Sequence, residues 1–354
     1  MKIRRPALAA ALLALLAVTA VLVAGAFVPG GTPPAGAADP VVLAVKNAGT
    51  VVKSYTLDQL KALTPYTGFG GFMTTGGTVT GPDPITGVSL LTVMQDAGIG
   101  FTASQSVNLL APDGYAANLT YDQTMNANGF EIFNATTGKA EAPATPLTSV
   151  LVYERNGVAL TPFDPVTADG EGPLRFYVAQ TTNTNQVMEG SVSTKGVTVF
   201  DVLAQPITEW DLKLVGLKIK GTRQVVTETR NSIEGCATPN CHKSGWTVGG
   251  QSWTGVPLWR LMGVVDGGAR HKGNSYNARL ARAGYRIRFF DEAGHYTTIS
   301  SKGTPFRNSI VVANLVDGVI PGTSLYPLRL VGPAKYVPAS KRLGGIVKIK
   351  MLPW

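Results

Sequence analysis

Thiol and imidazole donors are scarce in this sequence: 354 residues include two cysteines and three histidines. Thiolate or c-type haem chemistry therefore has to pass through Cys236 and Cys241. A hydrolase triad finds no support, because nothing in the spacing sets a serine beside His242, His271 or His295. No Gly-x-Gly-x-x-Gly run leads from a strand into a helix, and neither a Walker loop nor His-Glu-x-x-His occurs, which removes the sequence signatures of dinucleotide, P-loop and zincin sites. Charge is sparse too, at 15% of residues, and no block of like charge is present. The net charge of +9 is spread along the chain. That distribution suits a small anionic ligand or cofactor, or a cell-surface polymer, and gives no footing for nucleic acid. After the first forty residues no apolar run approaches the length needed to cross a membrane, so the remainder is expected to be soluble.

What is present begins at the N-terminus. Lys2, Arg4 and Arg5 precede an uncharged apolar run from about Ala7 to Val28, and Ala35-Gly36-Ala37 supplies small residues suited to signal peptidase. Residues 1–38 read as a signal peptide or, given the length of the run, as an uncleaved N-terminal anchor. The expected location is outside the cytoplasm: periplasmic, cell-surface or secreted, with membrane contact only through that segment.

The rest of the chain repeats itself. Thr86-Gly87-Val88-Ser89-Leu90 matches Thr254-Gly255-Val256-Pro257-Leu258, and Val42-Leu43-Ala44-Val45-Lys46 matches Asp211-Leu212-Lys213-Leu214-Val215. Ala111-Pro112-Asp113-Gly114-Tyr115 corresponds to Asp291-Glu292-Ala293-Gly294-His295, and Asn156-Gly157-Val158 to Asp317-Gly318-Val319. Gly172-Pro173-Leu174-Arg175 corresponds to Tyr326-Pro327-Leu328-Arg329, and Gly196-Val197-Thr198-Val199-Phe200 to Gly345-Ile346-Val347-Lys348-Ile349. Six blocks in one order imply two tandem copies, 39–205 and 206–354, divided near Gln205-Pro206. Local patterns predict a mixed sheet with short helices, an α+β chain. Thr56 is placed to N-cap a helix bearing Leu57, Leu60 and Leu63 on one face, and Pro257 fits the first turn of another.

These blocks resemble the molybdopterin-binding domain of the sulfite oxidase family, once per copy across nearly all of residues 40–354. The resemblance rests on the Thr-Gly-Val-(Ser/Pro)-Leu turn into a helix, the Asp113-Gly114-Tyr115 hairpin, the passage from Asn156 to Arg175, and Tyr326-Pro327-Leu328-Arg329 with Lys341-Arg342-Leu343-Gly344-Gly345. It implies a coiled, barrel-like mixed sheet, a cofactor cleft lined by loops, an oxidoreductase activity and a redox partner. It also implies one cysteine thiolate on molybdenum. The first copy has no cysteine, so only the second is a plausible cofactor site.

In the second copy the segment Cys236-Ala237-Thr238-Pro239-Asn240-Cys241-His242 admits four readings. Two cysteines in an exported chain suggest a disulfide between Cys236 and Cys241. Cys-x4-Cys-His is a wider variant of the haem c attachment motif, with His242 as axial ligand. Cys236 or Cys241 could ligate molybdenum, or Cys236, Cys241 and His242 could hold a metal, with His271 or His295 as further ligands. Arg329, Lys341 and Arg342 form a basic cluster suited to a pterin phosphate or anionic substrate, whereas Arg175 is expected to brace neighbouring structure. Trp259 is expected in the core, whereas Trp246 and Trp253 either line a pocket mouth or pack internally, packing being the commoner outcome for aromatic side chains. A cofactor-free binding or scaffold module descended from the same fold is the alternative to an enzyme.

Overall fold

In the segment Val41–Asn47 the apolar side chains alternate, so Leu43 and Val45 turn inward and the intervening residues do not. The structure, a computed structural model, describes residues 39–219, 222–238, 241–266, 276–322 and 324–354. The expected leader, residues 1–38, lies outside the described residues, as does His271. Val41–Asn47 runs parallel to Val199–Leu203, and Thr50–Thr56, Ser106–Leu110 and Ala116–Leu119 complete a five-stranded sheet by antiparallel pairing. Its order is Thr50–Thr56, Val41–Asn47, Val199–Leu203, Ser106–Leu110, Ala116–Leu119.

A second five-stranded sheet has the same plan. Asp211–Ile219 runs parallel to Ile346–Leu352, flanked by Thr222–Thr229 on one side and by Arg286–Asp291 and Tyr296–Ser300 on the other. In each sheet one early and one late strand of the same stretch of chain lie side by side, so the intervening residues must build everything else. Residues 39–205 and 206–354 are called the first and second halves below.

Each half adds another sheet. In the first, Tyr66–Met73, Val79–Ser89, Leu147–Arg155 and Arg175–Gln180 pair in a ring that closes through Gln180 and Phe69. This closure gives the barrel-like character expected of the fold. In the second, Ser244–Val248, Gln251–Pro257, Val311–Val316 and Arg329–Val331 pair in that order. Strands dominate, and the helices are short: α1 Leu57–Lys61, α2 Leu90–Asp96, α3 Tyr121–Met125, α4 Arg230–Cys236, α5 Leu258–Gly263 and α6 Ala278–Ala283.

The helix starts follow from their caps. Thr56 and Gln59 form a reciprocal capping box at α1, and Thr120 and Gln123 form another at α3. Ser89 caps α2 through its hydroxyl, whereas Pro257 heads α5 as the N-cap residue without a side-chain bond. At both Asp-containing hairpins an aspartate accepts from a later backbone N–H, Tyr115 to Asp113 and His295 to Asp291, each at 2.8 Å. Gly114 and Gly294 take the positive φ that these turns require.

The halves meet along α4. Arg230, fully buried, donates to the Asn118 carbonyl and to Gln123 Oε1 of the first half, both at 2.8 Å, and pairs with Glu209 and Glu234 of the second. Asn231 donates to Glu189 Oε1 at 2.9 Å, and Asn118 donates to Glu234 Oε2 at 3.1 Å. Gly235 sits where an added Cβ would meet the Ser191 carbonyl at 3.0 Å and the Tyr115 hydroxyl at 3.1 Å. A glycine at that helix position lets the two halves touch.

Candidate metal centre

Helix α4 ends on Cys236, which is buried, and the following turn carries Cys241 and His242. Backbone bonds fold that turn back on the helix: His242 N–H donates to the Cys236 carbonyl at 2.9 Å and Cys241 N–H to the Thr238 carbonyl at 3.1 Å. Three donors converge as a result. The sulfurs of Cys236 and Cys241 are 3.9 Å apart, and His242 Nδ1 lies 3.6 Å from the first and 3.0 Å from the second. The expected disulfide is therefore not formed. A separation of 3.9 Å is contact between sulfurs, well beyond the roughly 2.05 Å of a bond, and the imidazole is drawn against both sulfurs instead.

Helix α5 braces this cluster. Trp259 meets His242 edge-on, with ring centroids 6.1 Å apart, and its indole N–H donates to Asn308 Oδ1 at 2.9 Å. Arg260, the next residue, is buried and close enough to Cys236 for its charge to favour the thiolate. Cys241 and burial push the Cys236 thiol up, while Arg260 pulls it down. Trp253 is core with Trp246 packed against the same cluster, the packing outcome, and Trp259 packs against the core of the second half while its ring also faces His242.

A cavity of about 160 Å³ opens on Cys236 and Cys241, and the first half supplies Thr74, Thr75, Tyr115, Gly190 and Ser191 to its wall. Tyr115 donates to the Ser191 carbonyl at 2.6 Å, and burial holds its hydroxyl well above the usual phenol range. A neighbouring cavity of about 140 Å³ is lined in part by Glu131, Glu189 and Glu228. Burial pushes the Glu189 carboxyl up to about 7, against bonds from Asn231, the Glu131 N–H and Ser191 that favour its charged form.

The basic residues named from sequence lie elsewhere. Neither cavity that Cys236 lines has Arg329, Lys341 or Arg342 on its wall. The Arg329 guanidinium lies 4.4 Å above the Trp253 ring, and burial and the nearby Arg342 hold its pKa below the usual value. Lys341 donates to the Thr298 carbonyl at 2.6 Å. Arg175, by contrast, is fully engaged: it pairs with Glu171 at 2.9 Å, donates to Ser193 Oγ at 3.0 Å and stacks 3.9 Å over Phe72. His295 is exposed and pairs with Asp291 at 2.9 Å, as a turn residue does. The contributions of Tyr115, Glu189 and Arg260 were not read from the sequence. They come from other elements, 121 and 47 residues before Cys236 and 24 after it, and carry no local signature.

A scan against protein-family models finds no match, and a search of curated proteins returns no relative. Among solved structures, the sulfane dehydrogenase SoxCD from Paracoccus pantotrophus is similar at 13% identity and a TM-score of 0.32. The match covers 73% of this chain and 58% of that one, so this chain spans less than two thirds of its length. A likeness of that size carries no argument about activity.

Proposed function

We propose that this chain is a metalloprotein whose second half holds one metal ion through Cys236, Cys241 and His242 and offers a remaining coordination position to the cleft between the halves. The convergence of three donors carries the reading. An ion held tetrahedrally with bonds near 2.3 Å to sulfur and 2.0 Å to nitrogen sets edges of roughly 3.8 Å between sulfurs and roughly 3.5 Å from sulfur to nitrogen. The observed 3.9 Å and 3.6 Å lie close to those edges, and the 3.0 Å edge needs about half an ångström of adjustment. Two thiolates and an imidazole select a borderline-to-soft cation such as zinc or copper(I). Such an ion, with a position left open, supplies Lewis acidity to a bound ligand. Arg260 offsets charge on Cys236, and Trp259 fixes the imidazole plane.

The wider proposal concerns origin and setting. The ordered sequence blocks support a duplicated unit of molybdopterin-binding ancestry, and with it an oxidoreductase class of activity and a redox partner. The basic, apolar and small-residue N-terminus supports export. Molybdopterin itself fits the residues poorly, because the cations suited to its phosphate are not on the cavity that carries the thiols. Haem c fits less well than a single ion. Its thioethers spread along the porphyrin edge with the imidazole set apart to reach iron, whereas here all three donors point at one another.

Elemental analysis and a visible spectrum of the purified full chain test the reading. One equivalent of bound metal is expected. Cys236→Ser, Cys241→Ser and His242→Ala should each weaken it by more than the roughly 10–100-fold that loss of an outer partner costs. A Soret band, or molybdenum with pterin fluorescence, would overturn it.

A further inference from the structure

Successive residues of a strand face opposite sides of the sheet, and in the five-stranded sheet of the second half the inward set is apolar: Leu212, Leu214, Ile287, Phe289, Ile349 and Met351 are core. The outward set is basic. Lys213 lies beside Lys348 in the parallel pair, Lys350 lies directly opposite Arg288 in the antiparallel one, and Arg286 follows on the same face. None of these side chains is buried. Like charges set opposite one another repel and weaken a sheet. Among the described residues no carboxylate pairs with any of them. Arg286 donates to the Pro353 carbonyl at 2.9 Å and Arg288 to Thr298 Oγ1 at 3.4 Å, while Lys348 sits 4.4 Å over Phe290 and Arg288 4.2 Å over Tyr296. Asp211 and Asp291 stand at strand ends, the first opposite Thr229 and the second paired with His295 at 2.9 Å, so the middle of the face stays cationic.

The first half shows that such a sheet does not need these charges. There Ala44 lies beside Val199, Val199 is opposite Leu110, and Asp201 is opposite Asn108. In the second half Lys213 lies beside Lys348, Lys348 is opposite Phe290, and Lys350 is opposite Arg288. Ala44, Val199, Asp201 and Asn108 thus occupy the places of Lys213, Lys348, Lys350 and Arg288. One plan of sheet carries four cations at these places in one half and none in the other.

We propose that this outer face of the second half docks an acidic polysaccharide, a linear chain of uronate sugars, independently of the metal centre. The cations sit on a grid of about 4.8 Å between strands and about 6.7 Å along them, the scale of one charge per sugar ring. Hydroxyls border them on the same face: Thr227 is opposite Lys213, and Thr298 and Ser300 are opposite Arg288 and Arg286. Carboxylates would pair with the ammonium and guanidinium groups, and sugar hydroxyls would bond to these side chains. Nucleic acid fits less well, because base stacking needs open rings, whereas Phe290 and Tyr296 already carry Lys348 and Arg288. Polyphosphate would leave the bordering hydroxyls without the partners that a sugar supplies.

Calorimetric titration of the purified full chain with an oligogalacturonate tests the assignment. Binding should be at least about tenfold tighter in about 20 mM salt than in about 200 mM, because exposed charge pairs are screened, and neutral dextran should not bind. Lys348→Gln with Lys350→Gln should weaken oligogalacturonate binding at least about tenfold at the lower salt. Arg286→Gln with Arg288→Gln, on a different strand, should do the same. Lys46→Gln with Lys139→Gln removes equal charge from the first half and should change binding less than about twofold. Urea midpoints of the first two pairs should hold or rise, since each pair relieves repulsion across the sheet. No binding by wild type at the lower salt, or binding by the two second-half pairs as tight as by the first-half pair, overturns the docking face. A thymidine oligonucleotide or polyphosphate of similar length binding as tightly as the uronate overturns the choice of polysaccharide.

Discussion

Glu189 shows how one side chain ties the first half to the helix that bears Cys236. Its Oε1 accepts from the Glu131 N–H at 3.1 Å and from Asn231 Nδ2 at 2.9 Å, and its Oε2 accepts from Ser191 Oγ at 2.8 Å. Burial outweighs these bonds and raises the carboxyl from 4.5 to about 7. Between those values the folded state keeps a proton that the unfolded chain has released. Stability from this group is therefore full below pH 4.5, falls as pH rises towards about 7, and is level above it. Glu189→Gln can keep both bonds to Oε1 and turn its amide N–H towards Ser191 Oγ, so it mimics the protonated form. At pH 8 the variant should be more stable than wild type by on the order of 2 kcal/mol, with little difference at pH 4.5. Denaturant midpoints at the two pH values check this, and parallel pH profiles for the two proteins would sink it.

At the scale of elements, α4 does more than its seven residues suggest. Its first residue, Arg230, bonds to Gln123, whose side chain also closes the capping box of α3. Its fifth, Glu234, is buried between Arg230 and Asn118, and burial pushes its carboxyl up against the pull of Arg230. Removing one member of such a pair strands the other's charge. Arg230→Met should cost about 3–5 kcal/mol, and adding Glu234→Gln should restore part of that loss. A double-mutant cycle on the total urea-unfolding free energy, summed over both transitions where a variant shows two, measures the coupling, and strictly additive losses would count against a shared network. Little of this was legible beforehand. The α1 cap at Thr56 and the turns at Asp113 and Asp291 could be read because their partners lie within four residues. Arg230 finds Asn118 and Gln123 across more than a hundred residues, so no periodicity or cap pattern announces it. The same holds for Cys236 and Cys241. Their spacing admitted a bridge, a haem or a metal, with the bridge the plainest reading for two cysteines in an exported chain, and the backbone bond from His242 to the Cys236 carbonyl is what brings imidazole and sulfurs together.

For the whole molecule, the two five-stranded sheets share one order and one pattern of parallel and antiparallel pairing, yet the halves are chemically unlike. All five tryptophans, Trp210, Trp246, Trp253, Trp259 and Trp354, lie in the second half. Tryptophan fluorescence therefore follows that half, while far-UV circular dichroism follows the strands of both. The contacts joining the halves are concentrated on α4 and include a fully buried guanidinium whose carboxylate, amide and carbonyl partners come from both sides. Opening the interface would expose that network before either core is lost, so neither half can loosen alone without disrupting pairs made by the other. The two signals should accordingly give coincident unfolding curves in wild type, the behaviour of one cooperative unit. In Arg230→Met the interface loses its central donor while both cores keep their packing. There the fluorescence transition should separate from the dichroism transition, with the tryptophan-bearing half unfolding at its own midpoint. Coincident curves in both proteins would mean that the halves are bound chiefly by contacts away from α4, whereas separated curves in wild type would mean that α4 does not join them into one unit.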